Sequence, residues 1–215
     1  MAESTIDDES GQGYWWGQIV GKVLPKINPE RVAKLLVKAM LGDNYHLAKT
    51  ADNSLSLFAK SHPDAVMLAL GEMMLDEEKR WLFHVKRFSV FLSLPYEVVA
   101  KWLSEKGTEG ALRLARHVPR PLLDEKGEPL LHPPTKLLLS EFASDDEVFQ
   151  EFVSGVHSLQ TYMGDIAAQK EQEAELARKF LNHPVPRVHQ WAEYEIESAK
   201  QQATMFRALD DKHRE

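Results

Sequence analysis

The chain has 215 residues, of which 43% are hydrophobic and 27% charged, a balance typical of a folded globular protein. Its formal net charge of −7 argues against a broad nucleic-acid-binding surface, which needs a concentrated positive field. The absence of cysteine excludes disulfides, thiolate zinc sites and a thiol nucleophile, and it suits a reducing compartment.

The first twelve residues are acidic and small, unlike the basic and then apolar start of a signal peptide. No apolar run approaches the length of a membrane span. We therefore expect a cytoplasmic protein, or a fragment of one, that does not enter a membrane. Its predicted organisation is a disordered acidic tail over residues 1–12 followed by a single helical domain over residues 13–215.

Proline recurs at or just before the start of apolar stretches with helical spacing. These prolines are Pro29, Pro63, Pro95, Pro134 and Pro184, and proline is favoured in the first turn of a helix. The intervals between them are irregular but lie near the length of one helix pair in a stacked helical repeat. The recurrence predicts a repetitive all-α architecture.

In chain order, apolar residues at three- and four-residue spacing predict helices over residues 14–24, from Asn28 to Gly42, over 45–60, after Pro63 and over 81–92. Another helix opens at Pro95, and Gly107 is expected to close it in the left-handed conformation, with a shorter helix following. Residues 119–134 contain two Leu-Leu pairs around an Asp-Glu-Lys-Gly turn and could form a small β-hairpin. Helices resume over 137–142, after Asp145, over 162–181 and over 188–209.

Three segments share apolar residues at intervals of four after a proline or acidic turn. These triplets are Val188, Ala192 and Ile196; Val148, Phe152 and Val156; and, more loosely, Val66, Leu70 and Met74. The pattern resembles the second helix of a HEAT repeat. In that family an arginine often follows the first apolar residue and pairs with an aspartate of a neighbouring repeat, but here His189, Phe149 and Met67 stand at that position.

The resemblance implies an irregular HEAT-like α-solenoid of about eight to ten helices, which is a non-enzymatic scaffold offering an extended surface to a partner. The expected partner is another protein or another domain of the parent chain. The expected contact surfaces are the 119–134 loop, because structured loops often carry recognition, and the groove of the solenoid. A further candidate is a tryptophan on the face opposite Trp16. The candidate residues are Trp15, Arg120, Asp124, Glu125, Lys126 and His132.

Two alternatives stay open. The helix over 14–24 is expected to cover the open end of the solenoid with its tryptophans, but this Trp15/Trp16 helix could instead make the chain a homo-oligomerisation unit. Two basic clusters could instead line one groove of a nucleic-acid-binding or base-processing protein, as in alkylpurine DNA glycosylases built from HEAT-like repeats, although the acidic charge makes nucleic acid a less favoured partner. The candidate groove residues are Lys79, Arg80, Lys86, Arg87, Arg113 and Arg116.

The residues indicate no catalytic, cofactor or metal site. His189 and Glu193 form the one plausible pair of metal ligands at helical spacing, and two ligands do not make a site. The carboxylates at 124–125, 145–147 and 210–211 lie at predicted turns or helix ends, where such groups cap helices or stay solvated. We therefore expect no cofactor and no enzyme activity.

Overall fold

The structure is a computed structural model that describes residues 28–78, 88–158 and 164–214. The predicted tail, the predicted helix over 14–24 and Trp15 lie outside these residues. The described residues form eight α-helices, which confirms the all-α class. They are α1 (Pro29–Leu41), α2 (Tyr45–Ala59), α3 (Pro63–Leu75), α4 (Tyr96–Ala115), α5 (Pro133–Leu137), α6 (Asp146–His157), α7 (Ile166–Arg178) and α8 (Pro186–Arg214).

Shorter elements join the helices. A 3₁₀ turn at Ser89–Leu92 precedes α4, and a π-helical turn at Leu138–Phe142 continues α5. Strands β1 (Leu122–Leu123) and β2 (Pro129–Leu130) pair antiparallel, with Leu122 opposite Leu130. The small hairpin predicted within residues 119–134 is therefore confirmed.

Helix α1 shows why the predicted elements form where they do. Asn28 is extended, and its Oδ1 accepts a hydrogen bond from the Arg31 N–H at 3.0 Å, which satisfies a donor that the first turn leaves open. Pro29 occupies the first turn, where its missing N–H costs nothing. The helix ends before Gly42, so the predicted boundaries are confirmed.

Most helices pack against neighbours close in sequence. Helix α1 contacts α2 and α3, α3 contacts α4, α4 contacts α5 and α6, and α7 contacts α8. Around Trp191 of α8, the rings of Phe149, Phe152 and Phe180 have centroids at 6.2, 6.0 and 5.8 Å. This aromatic cluster joins α6 to the α7–α8 pair.

Helix α4 contains a break at Gly107. Its φ of 59° and ψ of −147° belong to a region that is essentially restricted to glycine, and the helix resumes immediately afterwards. The positive φ agrees with the sequence prediction, whereas the ψ differs from the left-handed helical value. Trp102 before the break packs on Gly71 of α3, and Arg116 after α4 lies against Gly155 of α6. The break therefore separates the part of α4 that meets α3 from its end near α6.

The predicted helix over 81–92 is wrong at its C-terminal end, while residues 81–87 lie outside the described ranges. Phe88 is extended, with φ −122° and ψ 129°. The carboxylate of Asp52 in α2 accepts hydrogen bonds from the Ser89 N–H and Oγ–H at 3.0 and 2.7 Å and from the Val90 N–H at 3.3 Å. A side chain from another helix thus caps a new turn, which local periodicity does not reveal.

The apolar triplets that carry the HEAT resemblance all point inward. Each member is buried or half-buried: Val66, Leu70, Met74, Val148, Phe152, Val156, Val188, Ala192 and Ile196. An arginine–aspartate pair also joins two of these helices, since Arg187 in the first turn of α8 pairs with Asp146 in the first turn of α6. Arg187 precedes Val188, whereas in the HEAT pattern the arginine follows the first apolar residue.

Candidate interaction surface

A tight turn shapes the β-hairpin. Asp124 Oδ1 accepts hydrogen bonds from the backbone N–H groups of Lys126 and Glu128 at 2.8 and 2.9 Å, and the Asp124 N–H donates to the Glu128 carbonyl at 2.8 Å. Gly127 supplies the positive φ of 74° that such a turn requires. The side chain predicted as a recognition residue at position 124 therefore holds the turn together.

The two faces of the hairpin differ in exposure. Leu122 and Leu130 are opposite in register, so their side chains lie on the same face, and they are 53% and 45% exposed. Leu123 and Pro129 are the other register pair and are both half-buried. The hairpin thus presents a pair of leucines to solvent, and we call these two residues the hairpin leucines.

Three contacts hold the hairpin to the helices. At its base, the buried Thr135 donates its hydroxyl hydrogen to the Pro119 carbonyl. Glu128 pairs with Lys179 just after α7 at 3.0 Å. Strand β1 also contacts α7. The hairpin leucines are therefore displayed on a loop that is fixed at both its base and its turn.

The remaining predicted loop residues fall into two groups. Glu125 and Lys126 are exposed at the turn, beside the hairpin leucines. Arg120 and His132 are half-buried, and an Arg120 terminal nitrogen lies 3.7 Å from Glu173 of α7. The structure thus brings the two turn residues to the outer surface and turns Arg120 toward α7.

Only two of the six residues predicted to line a basic groove lie within the described ranges. Lys79, Arg80, Lys86 and Arg87 lie outside the described ranges. Arg113 and Arg116 lie at the end of α4, with Arg120 in the loop that follows; all three are half-buried. Arg116 pairs with Glu151 of α6 at 3.4 Å, and Arg120 with Glu173. Carboxylates from α6 and α7 therefore offset much of the charge of this cluster.

Besides the Arg187–Asp146 pair, a second ionic contact joins α6 and α8. His157 Nε2 lies 2.8 Å from Glu195 Oε1. This hydrogen bond raises the pKa of His157 above its usual value; Glu173 acts in the same direction, whereas partial burial and Arg120 act against it. The contact is therefore strongest when His157 is protonated.

A small cavity of about 30 Å³ lies beside this contact, large enough for one water molecule. Arg120, His157, Glu173, Trp191 and Glu195 are among its lining residues. The Nε of Arg120 and the Nε1 of Trp191 are buried and have no hydrogen-bond partner among the described residues. The cavity is too small for an organic ligand.

A larger open cleft lies elsewhere, between the first turns of α1 and α3 and the side of α4. We call it the N-terminal groove. Its volume is about 750 Å³, within the usual range of ligand and peptide pockets. Its lining combines apolar side chains such as Leu68 and Val98 with the carboxylates of Glu30, Asp64 and Glu105.

Comparisons with known protein families, curated proteins and solved structures found no match to this chain. Its function is therefore argued from the surfaces described above.

Both ring nitrogens of His189, which has helical ligand spacing with Glu193, have protein partners. Its Nδ1–H donates to the Leu181 carbonyl, and its Nε2 lies 3.2 Å from Glu193. The carbonyl contact is the main reason that the pKa of His189 is raised, and Glu193 adds to it. Among the described residues, no three His, Asp or Glu side chains come together as a metal site would require.

None of the described helices is both long and apolar enough to span a bilayer.

Sequence reasoning missed the hairpin leucines as site residues. The signal was present, because two Leu-Leu pairs flank the turn and alternate residues of a strand face opposite sides. That alternation places one leucine of the first pair outward, but it does not say which one. The structure shows that Leu122 is the exposed one and that Leu123 is half-buried.

Proposed function

We propose that this chain is a non-catalytic helical-repeat module that binds another protein, or another domain of its parent chain, through the hairpin leucines. The exposure of Leu122 and Leu130 side by side carries this proposal. Single exposed leucines are common on protein surfaces, whereas here two exposed leucines lie side by side on a structured loop.

The rigidity of the hairpin supports the same proposal. Binding costs less entropy when the contact residues are already held in position. The Asp124 turn, the Thr135 contact with Pro119 and the Glu128–Lys179 ion pair all restrain the loop before a partner arrives. Glu125 and Lys126 would form a polar rim around the leucines, the arrangement common in protein interfaces.

The proposal that the chain is a helical-repeat module rests on how the apolar triplets pack. The apolar triplets in α3, α6 and α8 face inward at four-residue spacing, and Arg187 joins α8 to Asp146 of α6. In helical-repeat proteins such inward faces stack the units and leave loops free for recognition. We propose that α6 and α8 are two such units of a HEAT-like array.

The carboxylates considered as candidate acids and bases serve structural roles. Asp124 closes the hairpin turn, and Asp145 Oδ1 accepts hydrogen bonds from the N–H groups of Glu147 and Val148, both at 3.1 Å, to cap α6. Carboxylates that accept backbone hydrogen bonds in this way hold a turn or a helix end in place. These contacts support the non-catalytic part of the proposal.

The nucleic-acid alternative has less support. Arg116 and Arg120 each contact a carboxylate, so they offer less charge to phosphate groups. A fluorescence-anisotropy titration with duplex and single-stranded oligonucleotides at low salt tests this alternative. Tight binding that weakens steeply with salt would favour it over the proposed protein contact.

Site-specific photo-crosslinking tests the proposed function directly. The photo-reactive residue p-benzoylphenylalanine replaces Leu122 in one variant and Leu57 in a control, since Leu57 is also an exposed leucine, at 65%, but lies on α2. After irradiation in native host cells, we expect a discrete adduct with another polypeptide from position 122 and none from position 57.

Two other results would contradict the proposal. The same adducts from both positions, or none from position 122, would show that the hairpin leucines are not a specific contact. An adduct composed of two copies of this 24.5 kDa chain would instead favour the homo-oligomerisation alternative.

A further inference from the structure

The N-terminal groove has an apolar floor. Leu68 of α3 is 39% exposed there and Val98 of α4 is half-buried, whereas the neighbouring Met67 and Trp102 are buried and offer little surface. The close approach of Trp102 to Gly71 fixes this floor, because a Cβ on Gly71 would lie only 2.3 Å from the indole nitrogen. The groove is thus bounded by a rigid helix contact.

The rim of the groove is acidic. Glu30, Asp64 and Glu105 are all exposed and come from three different helices. Lys101 is the basic residue of the described lining, and it lies 3.5 Å from Asp64. Three carboxylates therefore stand against one ammonium group in the lining, and this balance favours a positively charged ligand.

We propose that the N-terminal groove binds a basic amphipathic helix of a partner protein. Leucine-like side chains of that helix would pack on Leu68 and Val98, and its lysine or arginine residues would reach Glu30 and Glu105. Such binding of an amphipathic helix in a groove is a common mode of peptide recognition. The inference extends the proposed function to a second surface and does not depend on the hairpin leucines.

The negative charge of the rim favours a basic helix over an acidic or a neutral one. An acidic helix would place its carboxylates against Glu30 and Glu105, and like charges at close range are unfavourable. A neutral apolar helix would leave both rim carboxylates partly desolvated without partners, which costs binding energy. Only a basic helix gains from both the floor and the rim.

Fluorescence anisotropy with a model peptide tests the inference on the full chain. The probe is a labelled two-heptad peptide built of leucine and lysine at amphipathic helical spacing, and a control peptide carries glutamate at every lysine position. At near-physiological salt we expect saturable binding of the lysine peptide and at least about tenfold weaker binding of the glutamate peptide.

Matched charge reversals locate the binding site. In the test variant, Glu30→Lys and Glu105→Lys reverse the rim. In the control variant, Glu77→Lys and Glu141→Lys make the same change in net charge at exposed positions away from the groove. We expect about tenfold weaker binding of the lysine peptide to the test variant and less than twofold change for the control.

A second matched pair tests the floor. Leu68→Ser removes an exposed leucine from the groove, and Leu57→Ser removes one from the outer side of α2. We expect only the first to weaken binding, by several-fold. Circular dichroism melting curves confirm that each variant remains folded.

Three outcomes would overturn the inference. Equal loss of binding by both charge-reversal variants would show a general effect of net charge. Equal binding of the two peptides would remove the role of the rim. Failure of the lysine peptide to bind the full chain would mean that the groove does not accept a basic helix, including the case in which another part of this chain fills it. None of these results would bear on the hairpin crosslink.

Discussion

The helices α1–α3 and the helices α6–α8 are held together by different forces. The first group contains many large, fully buried aliphatic side chains, including Leu36, Met40, Leu55, Leu70 and Met74. The second group packs around an aromatic cluster and adds ion pairs between helices, such as Arg187 with Asp146 and His157 with Glu195. The comparison teaches that the first group depends mainly on aliphatic packing, since its ion pair between α1 and α3, Lys34 with Glu72, is exposed, whereas the second has several ion pairs between helices that respond to pH and salt.

The largest expected effect comes from the aliphatic group. Leu70→Ala in α3 should lower the free energy of unfolding by about 2–5 kcal/mol, because it removes buried methyl groups and leaves a cavity. Urea denaturation measures this loss, and we expect it to be the same at low and high salt. The exposed Leu57→Ala serves as the control and should stay within about 0.5 kcal/mol of the parent. A strong salt dependence of the Leu70→Ala loss would contradict the contrast between the two groups.

A smaller effect should come from the contact between α4 and α6. A Cβ on Gly155 would lie 2.5 Å from the carbonyl oxygen of Arg116, and a backbone atom cannot rotate away as a side chain can. We expect Gly155→Ala to cost about 1–3 kcal/mol of unfolding free energy, even though alanine favours helices. The neighbouring exposed Ser154→Ala should be neutral or slightly stabilising. Stabilisation by Gly155→Ala would show that the two helices are not in such close contact.

The smallest expected effect is the pH response of His157. Its folded-state pKa is raised, chiefly by the Glu195 hydrogen bond, so its stabilising contribution is complete below the unfolded pKa of 6.5 and is lost as pH rises through the folded pKa. His157→Gln should therefore lower the Tm by about 1–3 °C more at a pH of about 5.5 than at about 8.5.

A control histidine should show the opposite trend. Burial lowers the pKa of His183, so its contribution to stability falls as pH falls. The Tm difference between His183→Gln and the parent should shift in favour of the variant at low pH. Parallel pH profiles for the two variants would contradict the assignment of the His157–Glu195 contact.

Local signals account for much of the fold. Asn28 and Pro29 begin α1 as predicted, because capping and helix entry depend on residues only a few positions apart. Asp145 caps α6 for the same reason. The 3₁₀ turn at Ser89 escaped prediction because its cap, Asp52, lies on another helix.

The candidate surfaces depend more on distant partners. Arg113 and Arg116 are close in sequence, but only Arg116 has its charge offset by Glu151 of α6 among the ion pairs described above. In the same way, the packing of the hairpin against the helices decides that Leu122, and not Leu123, is exposed. Period-two alternation predicts a hairpin, and only the packing of separate elements shows which face is free.

The most direct test of the central claim compares two double substitutions in binding to the polypeptide that crosslinks at position 122. Leu122→Ser with Leu130→Ser removes the hairpin leucines, and Leu57→Ser with Leu209→Ser removes two exposed leucines from separate helices. Isothermal titration calorimetry should show at least about tenfold weaker binding for the hairpin variant and less than about twofold change for the control. Equal affinities for the two variants would contradict the claim that the hairpin leucines form the contact surface.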